Sequence, residues 1–275
     1  MATKNLLDAL VNISKLNSLA IGNIYKSKNR MNNMGEALEM FVQDAFANTF
    51  DKPNQSEIDL IKSQVFSYLG NQNNPPDAIL RDGDAIEIKK AEGIPNTLAL
   101  NSSYPKDKLR KNSSMITTAC KNCEQWDEKD IVYAIGVVKE NTVNALCFVY
   151  GLDFAASYEV YEKIRTNIRA GVNLIHGVEF SDTKEFGRVN KVDPLGITYL
   201  RIRGMWGIES PFKVFNYLDI KSKFFAIINN EKYASFPVAS RKEIESAKGI
   251  KITNCKIKNP NNPAQLIDAK LICFR

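Results

Sequence analysis

Residues 75–90 carry two carboxylates and a lysine at a spacing that suits metal-assisted hydrolysis of a phosphodiester. Asp77 follows Pro75-Pro76, and Glu87-Ile88-Lys89 follows Asp77 after an Asp82-Gly83 pair flanked by apolar stretches. Asp-Gly between apolar runs is a hairpin signal. Side chains alternate along a strand, so Ala85, Glu87 and Lys89 share one face while Ile86 and Ile88 take the other. In-register pairing across the turn brings Asp77 to Glu87 at the open end of the hairpin. Magnesium takes oxygen ligands, usually one or two carboxylates plus water and phosphate oxygens. Asp77 and Glu87 can supply the carboxylates, and the carbonyl of Ile88 a third oxygen. Lys89 can then orient the attacking water or stabilise charge that builds on the phosphate.

The composition restricts the alternatives. The 275 residues are 44% hydrophobic and 25% charged, ordinary values for a globular chain, and the net charge of +6 is compatible with a polyanionic partner. No apolar run is long enough to span a bilayer, and the N-terminus lacks the charged-then-apolar layout of a signal peptide, so a cytoplasmic protein is expected. The single histidine, His176, argues against histidine-based hydrolases and reads as structural. Cys120 and Cys123 form one Cys-x-x-Cys without the two further ligands of a zinc site, so reduced structural cysteines are expected. No glycine-rich phosphate cradle occurs, which disfavours an enzyme acting on free nucleotides.

The elements around the hairpin must position it. Apolar spacing predicts helices over residues 6–19, 34–50 and 56–68, the last with Ser56 as N-cap. Residues 26–33 read as a basic loop, and 91–114 as a long polar one. Strands are expected at 131–138 and 145–150. A helix is expected at 154–170, with Tyr158, Tyr161, Ile164 and Ile168 as its buried stripe. Short strands at 224–228, 249–252 and 269–274 follow, with a turn-rich loop at 259–263. This order predicts one α/β domain over 1–275, a mixed β-sheet flanked by helices with additional elaborations. The catalytic core covers about 34–203, and a C-terminal elaboration about 216–275.

Two further groups of residues suit nucleic acid. Asn101, Ser102 and Ser103 precede Lys106, Lys108, Arg110 and Lys111 in the polar segment, a combination suited to phosphates and base edges. Arg201 and Arg203 alternate on one predicted strand, followed by Gly204 and Gly207. Paired arginines can read guanine in the major groove, and glycines permit close backbone approach; ion pairs with local acids are the competing reading. The residues by themselves leave open a sequence-specific nuclease, a structure-selective repair or junction nuclease, and a DNA-binding module with a silent hairpin.

The hairpin resembles that of the PD-(D/E)xK nuclease superfamily. There a helix before the hairpin often adds a glutamate to the metal site, and Arg30…Gly35…Glu39 resembles that segment. Glu39 is the better match by its spacing from Gly35, with Glu36 in reserve. More specifically, segments 65–71, 74–77, 83–90, 99–103, 198–209 and 256–264 are similar to the NgoPII-type restriction endonuclease family. The resemblance spans nearly the whole chain, with no departure at the catalytic positions. It implies a restriction-endonuclease-like fold and Mg2+-dependent cleavage of double-stranded DNA at the palindrome GGCC. It further implies a homodimer and functional pairing with a cognate DNA methyltransferase.

Overall fold

The computed structural model describes residues 3–22, 34–71, 74–91, 93–94 and 97–275. The basic loop at 26–33, with Arg30, lies outside the described residues. Helix α1 (Leu6–Ser14) begins at Asn5, whose side chain accepts the Leu7 N–H at 2.9 Å while Asp8 closes a reciprocal capping box. Helix α2 spans Met34–Ala47, and α3 spans Gln55–Val65. The cap of α3 is Asn54 rather than Ser56. Helix α3 also stops short of Tyr68, because strand β1 (Phe66–Asn71) pairs antiparallel with β2 (Asn74–Leu80). Cross-strand pairing overrides the helical period there.

After β2 come β3 (Ala85–Ala91), β4 (Thr97–Asn101), β5 (Lys108–Arg110), β6 (Glu128–Lys139) and β7 (Thr142–Tyr150). The segment 91–114 is therefore not one long loop. It holds β4 and β5, strands of five and three residues in a mostly polar segment, too short for their alternation to mark them. Helix α4 (Tyr158–Val172) leads to the short strands β8 (Glu179–Phe180), β9 (Gly187–Asn190), β10 (Leu200–Ile202) and β11 (Trp206–Glu209). Strand β12 (Phe224–Asn229), helices α5 (Asn230–Ser235) and α6 (Val238–Ser246), and strands β13 (Lys251–Asn259) and β14 (Asn262–Cys273) complete the chain.

The central sheet runs β1-β2-β3-β6-β7-β12-β14-β13, with β5 pairing beside β6. It is mixed: β3–β6 and β7–β12 are parallel and the other pairs antiparallel. The expected strands at 249–252 and 269–274 are two ends of the long β13–β14 hairpin, which extends this sheet. Helices α1 and α2 cover one face, where Leu10, Phe41 and Phe46 pack with Ile86, Ile88 and Phe148. The other face holds Ile79, Ala85, Tyr133, Ile135 and Phe225 with Leu109, Trp126 and Phe215. Helix α2 approaches β6 closely because Gly136 has no side chain. A Cβ there would lie 2.7 Å from both methyls of Leu38.

Helix α4 departs from expectation. None of its residues is buried, and Tyr158, Ile164 and Ile168 of the predicted core stripe stand exposed. The helix stands beside the separate β8–β10 sheet instead of on the central one, so its period identifies an apolar stripe that the fold leaves uncovered. Among the described residues no helix is long and apolar enough to cross a membrane.

Candidate active site

The β2–β3 hairpin pairs Ala78 with Ile86 and Ile79 with Ala85, which sets Asp77 opposite Glu87. The turn closes through Leu80 N–H to the Asp84 carbonyl at 2.9 Å and Gly83 N–H to the Leu80 carbonyl at 3.0 Å. Asp82, at φ 54°, takes the left-handed position, which aspartate tolerates better than most residues. Ile86 and Ile88 enter the helix-side core, and Glu87 and Lys89 stand on the opposite face, as the alternation requires.

Asp77 Oδ2 accepts the Ile88 N–H at 2.5 Å, which locks the carboxylate against the backbone of the Glu87-Ile88-Lys89 strand. Glu87 is buried. Its Oε1 accepts from Lys89 Nζ at 2.6 Å, while its Oε2 is buried with no hydrogen-bond partner. Burial, then the charge of Glu87, pushes the Asp77 carboxyl up to about 8, against the opposing pull of Lys89 and the Ile88 N–H. Burial works to lower the Lys89 amine, but Glu87 and Asp77 outweigh it and hold the amine above its ordinary value.

Glu39 joins this group from α2, the helix seated by Leu38 against Gly136. Burial raises its carboxyl, Lys89 opposes, and Glu36 and Glu87 raise it further. Its charge in turn acts on both Asp77 and Lys89.

Among the described residues no group of three or more His, Cys, Asp or Glu side chains is arranged to hold a metal. Asp77 and Glu87 with one backbone oxygen nevertheless fit magnesium, which needs few protein ligands. The buried Glu87 Oε2, which has no hydrogen-bond partner and lies beside the Asp77 carboxyl, is an oxygen that a cation would satisfy.

A recess of about 120 Å³ opens over these groups, lined by Asp77, Glu87 and Lys89 together with Asn101, Ser102 and Ser103. Asn101 ends β4 in the left-handed conformation, φ 53°, opposite Trp206 of β11. Lys106 arrives at the far side of Glu87, with its Nζ bonded to Ser103 Oγ and, at 3.4 Å, to the Tyr104 carbonyl. Burial pushes its amine down to about 8, Glu87 pulls it up and Lys89 pushes it down.

Tyr133 holds Lys106 in place and escapes sequence reasoning. It is the register partner of Glu87 across the parallel β3–β6 pair, and its hydroxyl bonds the Lys106 backbone. A tyrosine in the apolar run 131–138 is its only trace in the sequence. Gly151 matters for the same segment: a Cβ there would collide with the carbonyls of Lys106 and Asp107.

Arg201, in β10, and Arg203, just beyond its end, are not among the residues that line the recess. Glu185 accepts from Arg201 at 2.5 and 3.0 Å and from Arg203 at 2.5 Å, and the two guanidiniums hold its carboxyl down at about 2. The bareness of Gly204 serves the protein's own packing, because a Cβ there would overlap the Phe186 ring. Trp206 packs edge-on against Tyr104, Tyr161 and Phe186.

The family model of the NgoPII restriction endonuclease matches residues 4–258. The type II restriction enzyme NgoPII of Neisseria gonorrhoeae is 48% identical over 276 residues, covering 98% of this chain and 99% of that protein. No solved structure matches the chain. A match over this length, at this identity, leaves one conclusion: the chain belongs to the NgoPII restriction endonuclease family.

Proposed function

We propose that this protein is a type II restriction endonuclease that hydrolyses double-stranded DNA at the palindrome GGCC, with Mg2+ as cofactor and as a homodimer. The observation that supports it most is the conjunction of Asp77, Glu87 and Lys89 in one recess with Asn101, Ser102 and Ser103, in a chain of this family. Asp77, Glu87 and the Ile88 carbonyl would hold the cation, with Glu39 adding charge from α2. When bound, it polarises the scissile phosphate and acidifies a water.

Lys89 bonds Glu87 in the resting site. From that position beside Glu87 in the recess, the amine would orient the attacking water or stabilise the developing negative charge. Lys106 supplies a second cation on the other side of Glu87, suited to a phosphate oxygen of the cleaved strand. Asn101, Ser102 and Ser103 offer short donors and acceptors to bases or phosphates at the mouth of the recess. Arg201 and Arg203 are candidates for guanine, provided DNA displaces Glu185 from them.

A palindromic site is read by two-fold symmetric protein, each subunit cutting one strand. A cell carrying this activity needs its own sites protected, which pairs the enzyme with a DNA methyltransferase of the same specificity. Sequencing the ends of fragments from unmethylated plasmid tests the specificity. Ends at GGCC alone support the reading, and scattered or branch-dependent ends oppose it.

A further inference from the structure

Four neighbouring strands bring charged and polar groups together at one end of the central sheet. Asp84 precedes β3, Asp130 lies in β6, Tyr150 ends β7 and Asn229 ends β12. None of them lines the recess. Lys232, in helix α5, reaches into this group. Its Nζ donates to Asp84 Oδ1 and to Asp130 Oδ2, both at 2.7 Å. The Tyr150 hydroxyl donates to the other Asp84 oxygen at 2.6 Å.

The lysine is held as firmly as its partners. Asn229 accepts the Lys232 N–H at 2.7 Å, and its own amide donates to Asp153 at 2.8 Å, which fixes the start of α5 to the segment after β7. The ammonium lies 4.9 Å from the centre of the Tyr150 ring and 5.5 Å from that of Phe236. With its side chain 14% exposed, it has exchanged most of its water for two carboxylates and two rings. Burial works to lower the amine, but Asp84 and Asp130 outweigh it and hold the amine above its ordinary value.

What this ammonium joins gives it a function. The parallel β3–β6 ladder starts with Ala85 opposite Ile131, so Asp84 and Asp130 stand one residue before its first pair. Two carboxylates side by side repel and would fray the ladder there; the ammonium between them closes it. The same ladder sets Glu87 opposite Tyr133, and Tyr133 holds Lys106. Other ties hold the hairpin turn through its backbone. Lys129 donates to the Gly83 carbonyl at 2.8 Å, and Glu124 accepts the Asp82 N–H at 3.1 Å.

We propose that Lys232 is a positioning residue for the cleavage reaction: together with Tyr150 it anchors Asp84, and so fixes β3, with Glu87 and Lys89, in place against β6. The C-terminal part of the chain thereby takes part in building the site. The proposal rests on the reading of Asp77, Glu87 and Lys89 as the catalytic groups.

The test is single-turnover cleavage of unmethylated plasmid by the full chain, with enzyme and magnesium in excess. Affinity for the same DNA is measured with calcium in place of magnesium. Lys232→Met should cut about tenfold more slowly, with affinity within about twofold of the wild-type value. Ile244→Ala is the stability control, because it opens a cavity at a buried position of the neighbouring helix α6 and leaves the Lys232 bonds in place. It should lower the melting temperature and keep the wild-type rate. A folded Lys232→Met that cuts at the wild-type rate overturns the proposal, as does an equal loss of rate in both variants or a loss confined to affinity. Should Lys232→Met fail to fold, Tyr150→Phe removes only the hydroxyl bond to Asp84. A rate lower by roughly threefold then supports the proposal, and an unchanged rate overturns it. Asp77→Ala in the same assay keeps the two readings apart. Cutting by that variant at the wild-type rate defeats the catalytic reading of the hairpin, whereas its silence beside an unaffected Lys232→Met removes only the positioning role.

Discussion

The Tyr133 hydroxyl accepts the Lys106 N–H at 2.7 Å and donates to the Lys106 carbonyl at 3.3 Å, so one side chain clamps both backbone groups of that residue. Tyr133 also faces Glu87 in register, which ties the position of Lys106 to that of β3. Tyr133→Phe removes both bonds and leaves buried polar groups unpaired, at a cost of about 1–3 kcal/mol. We expect a lower melting temperature and a single-turnover cleavage rate reduced about tenfold. Calorimetry and quench-flow measure the two effects; an unchanged rate would show that Lys106 needs no such clamp.

Asp77 makes stability depend on pH. Its carboxyl, raised from 3.8 to about 8, favours the neutral form in the folded protein. The stability it contributes is fully present below about pH 4 and is lost as pH rises through about 8. Metal-free protein should therefore become easier to unfold with urea across that window, and Asp77→Asn should flatten the trend. Magnesium binding at pH 7 should release protons, which appears in calorimetry as a binding heat that depends on the buffer. Equal heats in PIPES and Tris, buffers that bind magnesium weakly and differ in ionisation enthalpy, would contradict this.

Lys89 is expected to act on the reaction more than on the cation. Lys89→Ala should lower the cleavage rate about 10²–10³-fold, the effect of removing one preorganised charge. Its cation affinity should change little. Glu87→Gln should weaken both. The two are separated by titrating magnesium in a single-turnover assay, and a Lys89→Ala defect rescued by high magnesium would reassign the lysine.

Arg201 and Arg203 are held by Glu185 at 2.5–3.0 Å in the protein without DNA. If they read guanine, Arg201→Ala and Arg203→Ala should weaken binding to a GGCC duplex by about tenfold to a hundredfold. Binding to a scrambled duplex should weaken far less. Competition binding at fixed salt measures the ratio; equal losses on both duplexes would make these arginines phosphate contacts.

How much of this the sequence disclosed depends on the distance over which each feature is encoded. Asp77, Glu87 and Lys89 are legible because a two-residue turn and strict alternation fix their relation within sixteen residues. Strand β1 hides behind a helical period because its pairing with β2, not its own composition, decides its state. Strands β4 and β5 hide in polar sequence for the same reason. The stripe on α4 is legible as a stripe, but periodicity cannot report what covers it. Tyr133 and Lys106 meet only through the parallel β3–β6 pairing, which no local pattern announces. Gly204, read as room for a partner, is room for Phe186.

The most direct test of the central claim is digestion of unmethylated plasmid DNA with magnesium, beside an Asp77→Ala variant and a chelated control. The account predicts discrete fragments ending at GGCC from the wild-type protein and intact plasmid in both controls. Cutting that persists in Asp77→Ala, or DNA that is bound but left whole by the wild-type protein under every divalent cation, would contradict it.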